Sequence, residues 1–99
     1  MFYLAKPRVL TSPVGGSKLQ GTALSLSCSS SGYPQPNITW TFNNTIIDSV
    51  YNHETLAIGR TELNQTGSYQ CIFENAAGST ASSIANLVVY SKQLLQLAA

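Results

Sequence analysis

The chain has 99 residues, which is room for one domain, because two independent cores of about 50 residues each would be at the margin of stability. Its formal net charge is +1 and 9% of its residues are charged, which excludes the clustered Lys and Arg of a nucleic-acid binder and the polybasic segment of a membrane-surface protein. The apolar share of 43% can build a core, and no apolar run approaches the roughly 18 to 20 residues that cross a bilayer. The sequence therefore predicts one globular domain that would meet a membrane only through a transmembrane segment outside these residues.

The first element is predicted to be an edge strand broken in two. Pro7 and Pro13 both fall in this segment, and proline is tolerated at sheet edges and bends because it has no N–H to donate. The preceding residues 1–5 are apolar but far shorter than the core of a signal peptide, which has about 7 to 15 apolar residues. They are therefore expected to be a linker or a cloning remnant.

Apolar and polar residues then alternate with a period of two, which predicts strands with one face turned inward. Turn signals separate these runs at 15–16, 31–36, 43–44, 65–67 and 76–78. Short strands at this spacing predict an all-β fold, an antiparallel β-sandwich of two sheets. The inward positions in chain order are Leu24, Leu26 and Cys28; Ile38, Trp40 and Phe42; Leu56 and Ile58; Tyr69, Cys71 and Phe73; and a last strand with Ala81, Ser83, Ala85, Leu87 and Val89 in one phase.

Cys28 and Cys71 are the only cysteines. A metal site would need about four Cys or His ligands, and only His53 could be added, so no metal is expected. A redox pair would normally be close in sequence, whereas these two residues are 43 positions apart. Both share a phase with inward-facing neighbours, which favours a single buried cross-link.

Three N-x-T sequons begin at Asn37, Asn43 and Asn64, and none has proline in its middle position. A chain rich in Asn, Thr and Ser also forms such triplets by chance. Three in 99 residues nevertheless favour the use of at least one as a glycosylation site. Together with the cysteine pair they indicate an oxidising, secretory compartment.

Cys28, Trp40 twelve residues later, and the pattern Gly67-x-Tyr69-x-Cys71 resemble the strand B cysteine, the strand C tryptophan and the strand F tyrosine corner of the immunoglobulin fold. The resemblance covers about residues 6–90, which leaves 91–99 as a linker or cloning tail. Only 15 residues separate Trp40 from Leu56, too few for the extra hairpin of an antigen-receptor variable domain. The chain is most similar to the intermediate set (I-set), through Gly32-Tyr33-Pro34-Gln35-Pro36, Ile38-x-Trp40, Leu56-x-Ile58, Asn75-x-x-Gly78 and Leu87-x-Val89.

The resemblance implies Greek-key connections and a role for several residues. Cys28 and Cys71 would be bridged, Trp40 would pack against the bridge, and the Tyr69 hydroxyl would bond back to the backbone of the E–F loop. Gln65 stands where the family usually has Asp, which puts the family's salt bridge at the base of the sandwich in doubt. The core is expected to contain Leu26, Leu56 and Ile58 besides Trp40 and Tyr69.

The same frame predicts where the sequons lie. Asn37 would point outward on the sheet that contains strands C, F and G, because Ile38 and Trp40 point inward. Asn43 would lie in the turn after strand C, and Asn64 in the E–F turn at the opposite end of the sandwich.

Catalytic chemistry is poorly supported. His53, Asp48 and a serine could compose a hydrolytic triad on paper, but there is no G-x-S-x-G elbow, no second histidine and no phosphate-binding glycine loop. The sequence therefore predicts a non-enzymatic domain without a cofactor.

The resemblance implies an extracellular module of a cell-surface adhesion molecule or receptor, whose partner is a protein, another immunoglobulin-like domain included. Exposed tyrosines would serve as contacts, with Tyr33, Tyr51 and Tyr90 as candidates that could equally cap the ends of the sandwich. One alternative is a structural module of a giant intracellular muscle-type protein, which would commonly lack an oxidised bridge and have no use for sequons. A secreted binding protein is another alternative.

Overall fold

A computed structural model describes residues 3–48 and 54–91, and the side chain of Asp48 lies outside this description. Residues 1–2 of the expected N-terminal linker, Tyr51, His53 and residues 92–99 of the expected tail therefore lie outside the described residues. The elements are, in order, β1 Ala5–Thr11, β2 Gly16–Leu19, β3 Leu24–Ser27, β4 Ser29–Tyr33, β5 Asn37–Phe42, β6 Thr45–Asp48, β7 Thr55–Ile58, a 3-10 helix Leu63–Gln65, β8 Gly67–Asn75, β9 Gly78–Ala81 and β10 Ala85–Tyr90.

The strands form two layers. The larger sheet has the order β2-β10-β8-β5-β6, and β9 also pairs with β8. In the other layer β1 pairs with β4 and β3 pairs with β7. Because only Cys28 separates β3 from β4, these two pairs follow each other along one line, and the Cys28 N–H donates to the Glu54 carbonyl at 2.8 Å where they meet. The predicted all-β sandwich is confirmed.

The N-terminal segment is broken in two, as predicted. After Pro13 the chain leaves β4 and continues as β2 beside β10, with Leu87 opposite Gly16 and Tyr90 opposite Leu19. This pair is parallel, in contrast to the predicted antiparallel pairing. A Cβ atom on Gly15 would overlap the backbone of Asn86, so a residue without a side chain is required where the strand joins the sheet.

The inward phase predicted for most strands forms one core. Alternation along a strand turns every second side chain to the same face, and four of the five predicted runs contribute two or three buried residues each. The buried members are Leu26, Cys28, Ile38, Trp40, Tyr69, Cys71, Phe73, Ala85, Leu87 and Val89.

The predicted single phase of the last strand is wrong at its beginning. Ala81 and Ser83 are exposed, whereas Ser82 is buried. Ser82 exchanges hydrogen bonds with Cys71: its N–H donates to the Cys71 carbonyl at 2.8 Å, and its Oγ accepts from the Cys71 N–H at 2.9 Å. This side-chain bond replaces a ladder bond, so the strand is interrupted between β9 and β10 and the inward phase moves by one residue.

The predicted turn at 31–36 is also shorter than expected. Residues Ser29–Tyr33 form β4 because their backbone groups pair with β1, with Ser31 opposite Arg8 and Tyr33 opposite Ala5. The remaining turn residues follow the cis peptide bond between Tyr33 and Pro34.

Candidate recognition surfaces and glycosylation sites

The two layers are joined by a disulfide between Cys28 and Cys71. Their Cα atoms are 6.6 Å apart, within the range that an unshifted backbone can bridge. Trp40 lies directly opposite Cys71 in the pairing of β5 with β8, and its side chain is 0% exposed. The bridge and the indole therefore share one buried cluster, which fixes the spacing of the layers.

The Tyr69 hydroxyl donates to the Gln65 carbonyl oxygen at 2.8 Å. Burial raises the pKa of Tyr69 above its ordinary value of 10.0, because the apolar surroundings disfavour the phenolate. The ring packs on Phe42, with ring centroids 4.8 Å apart. This bond ties the start of β8 to the 3-10 helix before it.

Gln65, the departure from the family pattern, has a local role. Its side-chain Oε1 accepts a hydrogen bond from the Glu62 N–H at 2.7 Å and completes a capping box around the 3-10 helix. The pattern Glu62-Leu63-Asn64-Gln65 is the signal from which this capping box could have been predicted. The amide stabilises its own turn by this bond.

The remaining predicted core residues differ in burial. Leu26 is buried, while Leu56 is half-buried and packs against the core from β7. Ile58 is half-buried and lies opposite Leu24 in the pairing of β3 with β7. Leu56 therefore covers one flank of the core, whereas the prediction that Ile58 belongs to the core is not confirmed.

The outer face of the larger sheet is uncharged except at one corner. We define this outer face by the outward residues of three neighbouring strands: Asn37, Thr39 and Thr41 of β5; Ser68, Gln70, Ile72 and Glu74 of β8; and Ser79 and Ala81 of β9. Glu74 carries the single charge among them. Such a face would bind through hydrogen bonds and apolar contact.

The sequons occupy three different environments. Asn37 is exposed on the outer face, opposite Glu74. Asn43 lies in the two-residue turn between β5 and β6, and Asn64 is exposed on the 3-10 helix.

The expectation that Asn43 and Asn64 lie at opposite ends is wrong. The Asn43 N–H donates to the Ser68 carbonyl at 2.8 Å, at the beginning of β8 and close after the 3-10 helix. Antiparallel pairing brings the end of β5 to the start of β8, so both sequons share one end of the sandwich and Asn37 lies at the other.

A small groove lies beside Asn43 on the outer face. Its volume is about 210 Å³. We call it the Asn43 groove, and its lining residues are Thr41, Asn43, Asn44, Ser68, Gln70 and Ile84. Five of these six are polar and uncharged.

At the other end of the sandwich, Asn75 holds three chain segments together. Its Nδ2 donates to the carbonyl oxygens of Ala5 at 2.8 Å and Pro34 at 2.9 Å. Its Oδ1 accepts from the N–H groups of Ala77 and Gly78 within the turn. The pattern Asn75-x-x-Gly78 predicted the hairpin, but the bonds to Ala5 and Pro34 depend on segments distant in sequence.

Exposed apolar side chains lie next in sequence to the two residues, Ala5 and Pro34, that this clamp holds. Tyr33 is 45% exposed, and Tyr3 and Leu4 are 76% and 64% exposed. The other predicted tyrosine contact within the described residues, Tyr90, is half-buried at the end of β10. We call Tyr3, Leu4 and Tyr33 the aromatic end.

The described residues contain neither a cluster of metal-ligating side chains nor a bilayer-spanning helix. Within 3–48 and 54–91, no group of three or more His, Cys, Asp or Glu side chains is arranged to hold a metal ion. Over that same part of the chain, no helix has the length and apolarity needed to cross a bilayer.

The sequence and the fold both have known counterparts. Residues 6–75 match the sequence profile of the family described as the immunoglobulin domain. Hemicentin-1 of Homo sapiens is 46% identical over 63 residues, which are 60% of this chain and 1% of hemicentin-1. The structure of tandem Ig repeats of Dlar has a TM-score of 0.80 at 28% identity and covers 89% of this chain and 50% of that chain. An I-band fragment from titin also reaches 0.80, at 26% identity over 91% of this chain and 34% of that one.

Proposed function

The chain belongs to the immunoglobulin domain family, and on that premise we propose that it is a non-catalytic extracellular module that recognises another protein. The domain would be one unit of a longer cell-surface adhesion molecule or receptor. Its small share of hemicentin-1, which is 1% of that protein, is consistent with one unit among many.

The observation that carries the extracellular location is the Cys28–Cys71 disulfide at the centre of the core. Disulfides persist in oxidising compartments and are rare in the cytosol, where thiols are kept reduced. The exposure of Asn37, Asn43 and Asn64 supports the same location, since a glycosyltransferase requires accessible acceptors.

Protein recognition is best supported at the aromatic end. Tyrosine is enriched in interfaces because it combines a large contact area with a polar group and loses little conformational freedom. The Asn75 clamp holds the backbone beside Tyr33 through Pro34, so the ring is presented from a fixed position. The low charge of the domain indicates binding by apolar and hydrogen-bonding contact, because electrostatic steering needs charged surfaces. A second immunoglobulin-like domain would be a suitable partner.

The structural alternative is a spacer module of a muscle-type protein, and the similarity to the titin I-band fragment favours it. That similarity concerns the fold, whereas the disulfide and the sequons concern the compartment in which the protein resides. In an extracellular protein the two cysteines would be oxidised, and in an intracellular protein they would be free thiols.

The test is to label intact cells that produce the natural protein with a membrane-impermeant biotin reagent and to block free thiols at lysis. We expect biotinylated protein in which Cys28 and Cys71 resist alkylation until a reductant is added. Protein that escapes surface labelling and carries two alkylated cysteines would contradict the proposal and favour the muscle-type alternative.

A further inference from the structure

The turn between β5 and β6 holds a sequon in a fixed conformation at the rim of the Asn43 groove. Asn43 and Asn44 have φ angles of 50° and 68°, in the left-handed region that Asn tolerates better than other residues with a side chain. Two successive residues of this kind form the tight hairpin turn whose twist matches the flanking strands. The sequon Asn43-Asn44-Thr45 therefore has one defined backbone geometry.

The amide of Asn43 is also fixed. Its Oδ1 accepts a hydrogen bond from the Ser68 N–H at 2.9 Å. A Cβ on Gly67 would lie 2.7 Å from this oxygen and 2.6 Å from a ring carbon of Phe42, so only glycine lets the amide rest here. A sugar attached to Nδ2 leaves Oδ1 as an acceptor, and the bond to Ser68 would orient the sugar.

The Asn43 groove has the size and chemistry of a site for one sugar residue. Its volume of about 210 Å³ is below the roughly 300–1,000 Å³ of sites for drug-sized ligands. Thr41, Asn44 and Gln70 line it, and Thr41 is only 5% exposed. The Thr41 hydroxyl donates to the Gln70 carbonyl and the Gln70 amide nitrogen donates to the Ser82 carbonyl, which leaves the side-chain oxygens of these two residues as acceptors. These oxygens match the hydroxyls of a hexosamine, and the Asn44 amide matches its acetamide. Ile84 contributes an apolar surface that is 56% exposed and suits an acetyl methyl group or the C–H face of a sugar.

We propose that Asn43 carries an N-linked glycan whose first N-acetylglucosamine occupies the Asn43 groove against Ile84. The bond forms between the anomeric carbon and Nδ2 of Asn43, which loses one proton. The bond from that carbon to the diphosphate of a lipid-linked oligosaccharide donor breaks, and the lipid diphosphate leaves. The inference rests on the extracellular location proposed above, because the transfer occurs in the secretory pathway.

The occupant would be part of the surface that partners meet. A sugar seated on the outer face covers Ile84 and the side chains of β5 and β8 near the turn. The aromatic end lies at the other end of the sandwich and would stay uncovered. The glycan would thus direct contacts to that end.

The test uses the whole chain, secreted from cultured mammalian cells and trimmed by an endoglycosidase to a single N-acetylglucosamine at each site. Thr45→Val removes the sequon and keeps Asn43 with its bonds to Ser68. Asn64→Gln removes the sugar from the 3-10 helix and is the matched control. Glycopeptide mass spectrometry measures the occupancy, and NMR follows the Ile84 methyl groups and the exchange of the Ser68 amide.

We expect Asn43 to be occupied in the parent and an Overhauser contact between the acetyl methyl and Ile84. The Ser68 amide should exchange about threefold to tenfold more slowly than in Thr45→Val, because the seated sugar would shield from water the bond to Asn43 that both proteins contain. Asn64→Gln should leave both signals unchanged. Ile84→Ser, on the surface, should keep the occupancy and release the sugar, which is then seen as a narrower acetyl line.

An unmodified Asn43 would overturn the proposal, and so would an occupied Asn43 with the same Ile84 and Ser68 signals in the parent and in Thr45→Val. Because the secretion signal is supplied, these outcomes do not depend on where the natural protein resides. The labelling of natural cells tests that location separately.

Discussion

Trp40 lies directly opposite Cys71 in the register of β5 with β8, and neither side chain is exposed to solvent. The indole thus fills the space beside the disulfide, and removal of the indole would leave a cavity there. A large aromatic side chain in this position contributes both its own burial and the packing of its neighbours.

Trp40→Ala should lower the free energy of unfolding by about 3 to 5 kcal/mol, because it leaves a cavity next to the bridge. The measurement is the midpoint of denaturant unfolding, followed by circular dichroism. Trp40→Phe is the control and should lose less, since it keeps most of the buried area. An unchanged midpoint for Trp40→Ala would show that the assignment of β5 to the core is wrong.

Removal of the disulfide should cost a similar amount. A paired Cys28→Ala and Cys71→Ala change frees a loop of 43 residues, for which the chain-entropy estimate is about 4 kcal/mol. Thermal unfolding of the double variant, compared with the parent in the presence and absence of reductant, measures the loss. If reductant lowers the melting temperature of the double variant as much as that of the parent, reduction of the Cys28–Cys71 disulfide does not explain the lower stability in reductant.

Ser82 and Ser83 are a matched pair of neighbours with different expected effects. Ser82→Val leaves the buried N–H of Cys71 without its 2.9 Å acceptor, which should cost about 1 to 3 kcal/mol. Ser83→Val changes an exposed side chain and should shift stability by less than about 0.5 kcal/mol. Equal losses in the two variants would contradict the role given to the Ser82 hydroxyl.

Tyr69→Phe removes the hydrogen bond to the Gln65 carbonyl and keeps the ring on Phe42. We expect a loss of about 0.5 to 1.5 kcal/mol in unfolding by urea. Tyr90→Phe, at a half-buried tyrosine of the same domain, is the control.

Tyr69 also gives the domain a pH dependence. Its pKa in the folded state is raised above 10.0, so the folded chain holds the proton that the unfolded chain releases. Stability from this group is complete below pH 10.0 and is lost as the pH rises through the folded pKa. Above pH 10.0 the free energy of unfolding should therefore fall more steeply with pH for the parent than for Tyr69→Phe. Equal slopes would show that Tyr69 does not cause the pH dependence.

Tyr33→Ser should weaken protein binding while the domain stays folded, because the ring is 45% exposed at the aromatic end and lies outside the buried core. Val88→Ser alters a side chain that is 49% exposed on β10 and serves as the control. Binding of tagged, multimerised domain to cells that display the natural protein is the measurement, with at least a fivefold loss expected for a residue that contributes about 1 kcal/mol. A greater loss of binding for Val88→Ser would show that the partner contacts the larger sheet instead.

The features that were predictable from sequence are those that depend on neighbours along the chain. Alternation placed Leu26, Trp40 and Phe73 inward because a strand turns every second side chain to one face. Asn43 and Asn44 were recognised as a turn since few other residue types adopt left-handed backbone angles.

What could not be predicted depends on segments that meet only in the fold. Ser82 shifts the inward phase of the last strand because its hydroxyl accepts a hydrogen bond from the Cys71 N–H. No residue next to Ser82 in the sequence indicates this partner. Asn75 bonds the carbonyl of Ala5, 70 positions earlier in the chain. The Asn43 groove depends likewise on Ile84, which reaches β8 from the interrupted strand.

The parallel pairing of β2 with β10 also bears on how the domain responds to stretching. Tension that reaches Gly16 at the beginning of β2 and Tyr90 at the end of β10 pulls these two strands in opposite directions along their own length. The bonds between Gly16–Leu19 and Leu87–Tyr90 are then loaded together, in shear, and cannot open one after another. The first and last strands of the sheet thus resist extension together when the two ends of the domain are pulled apart.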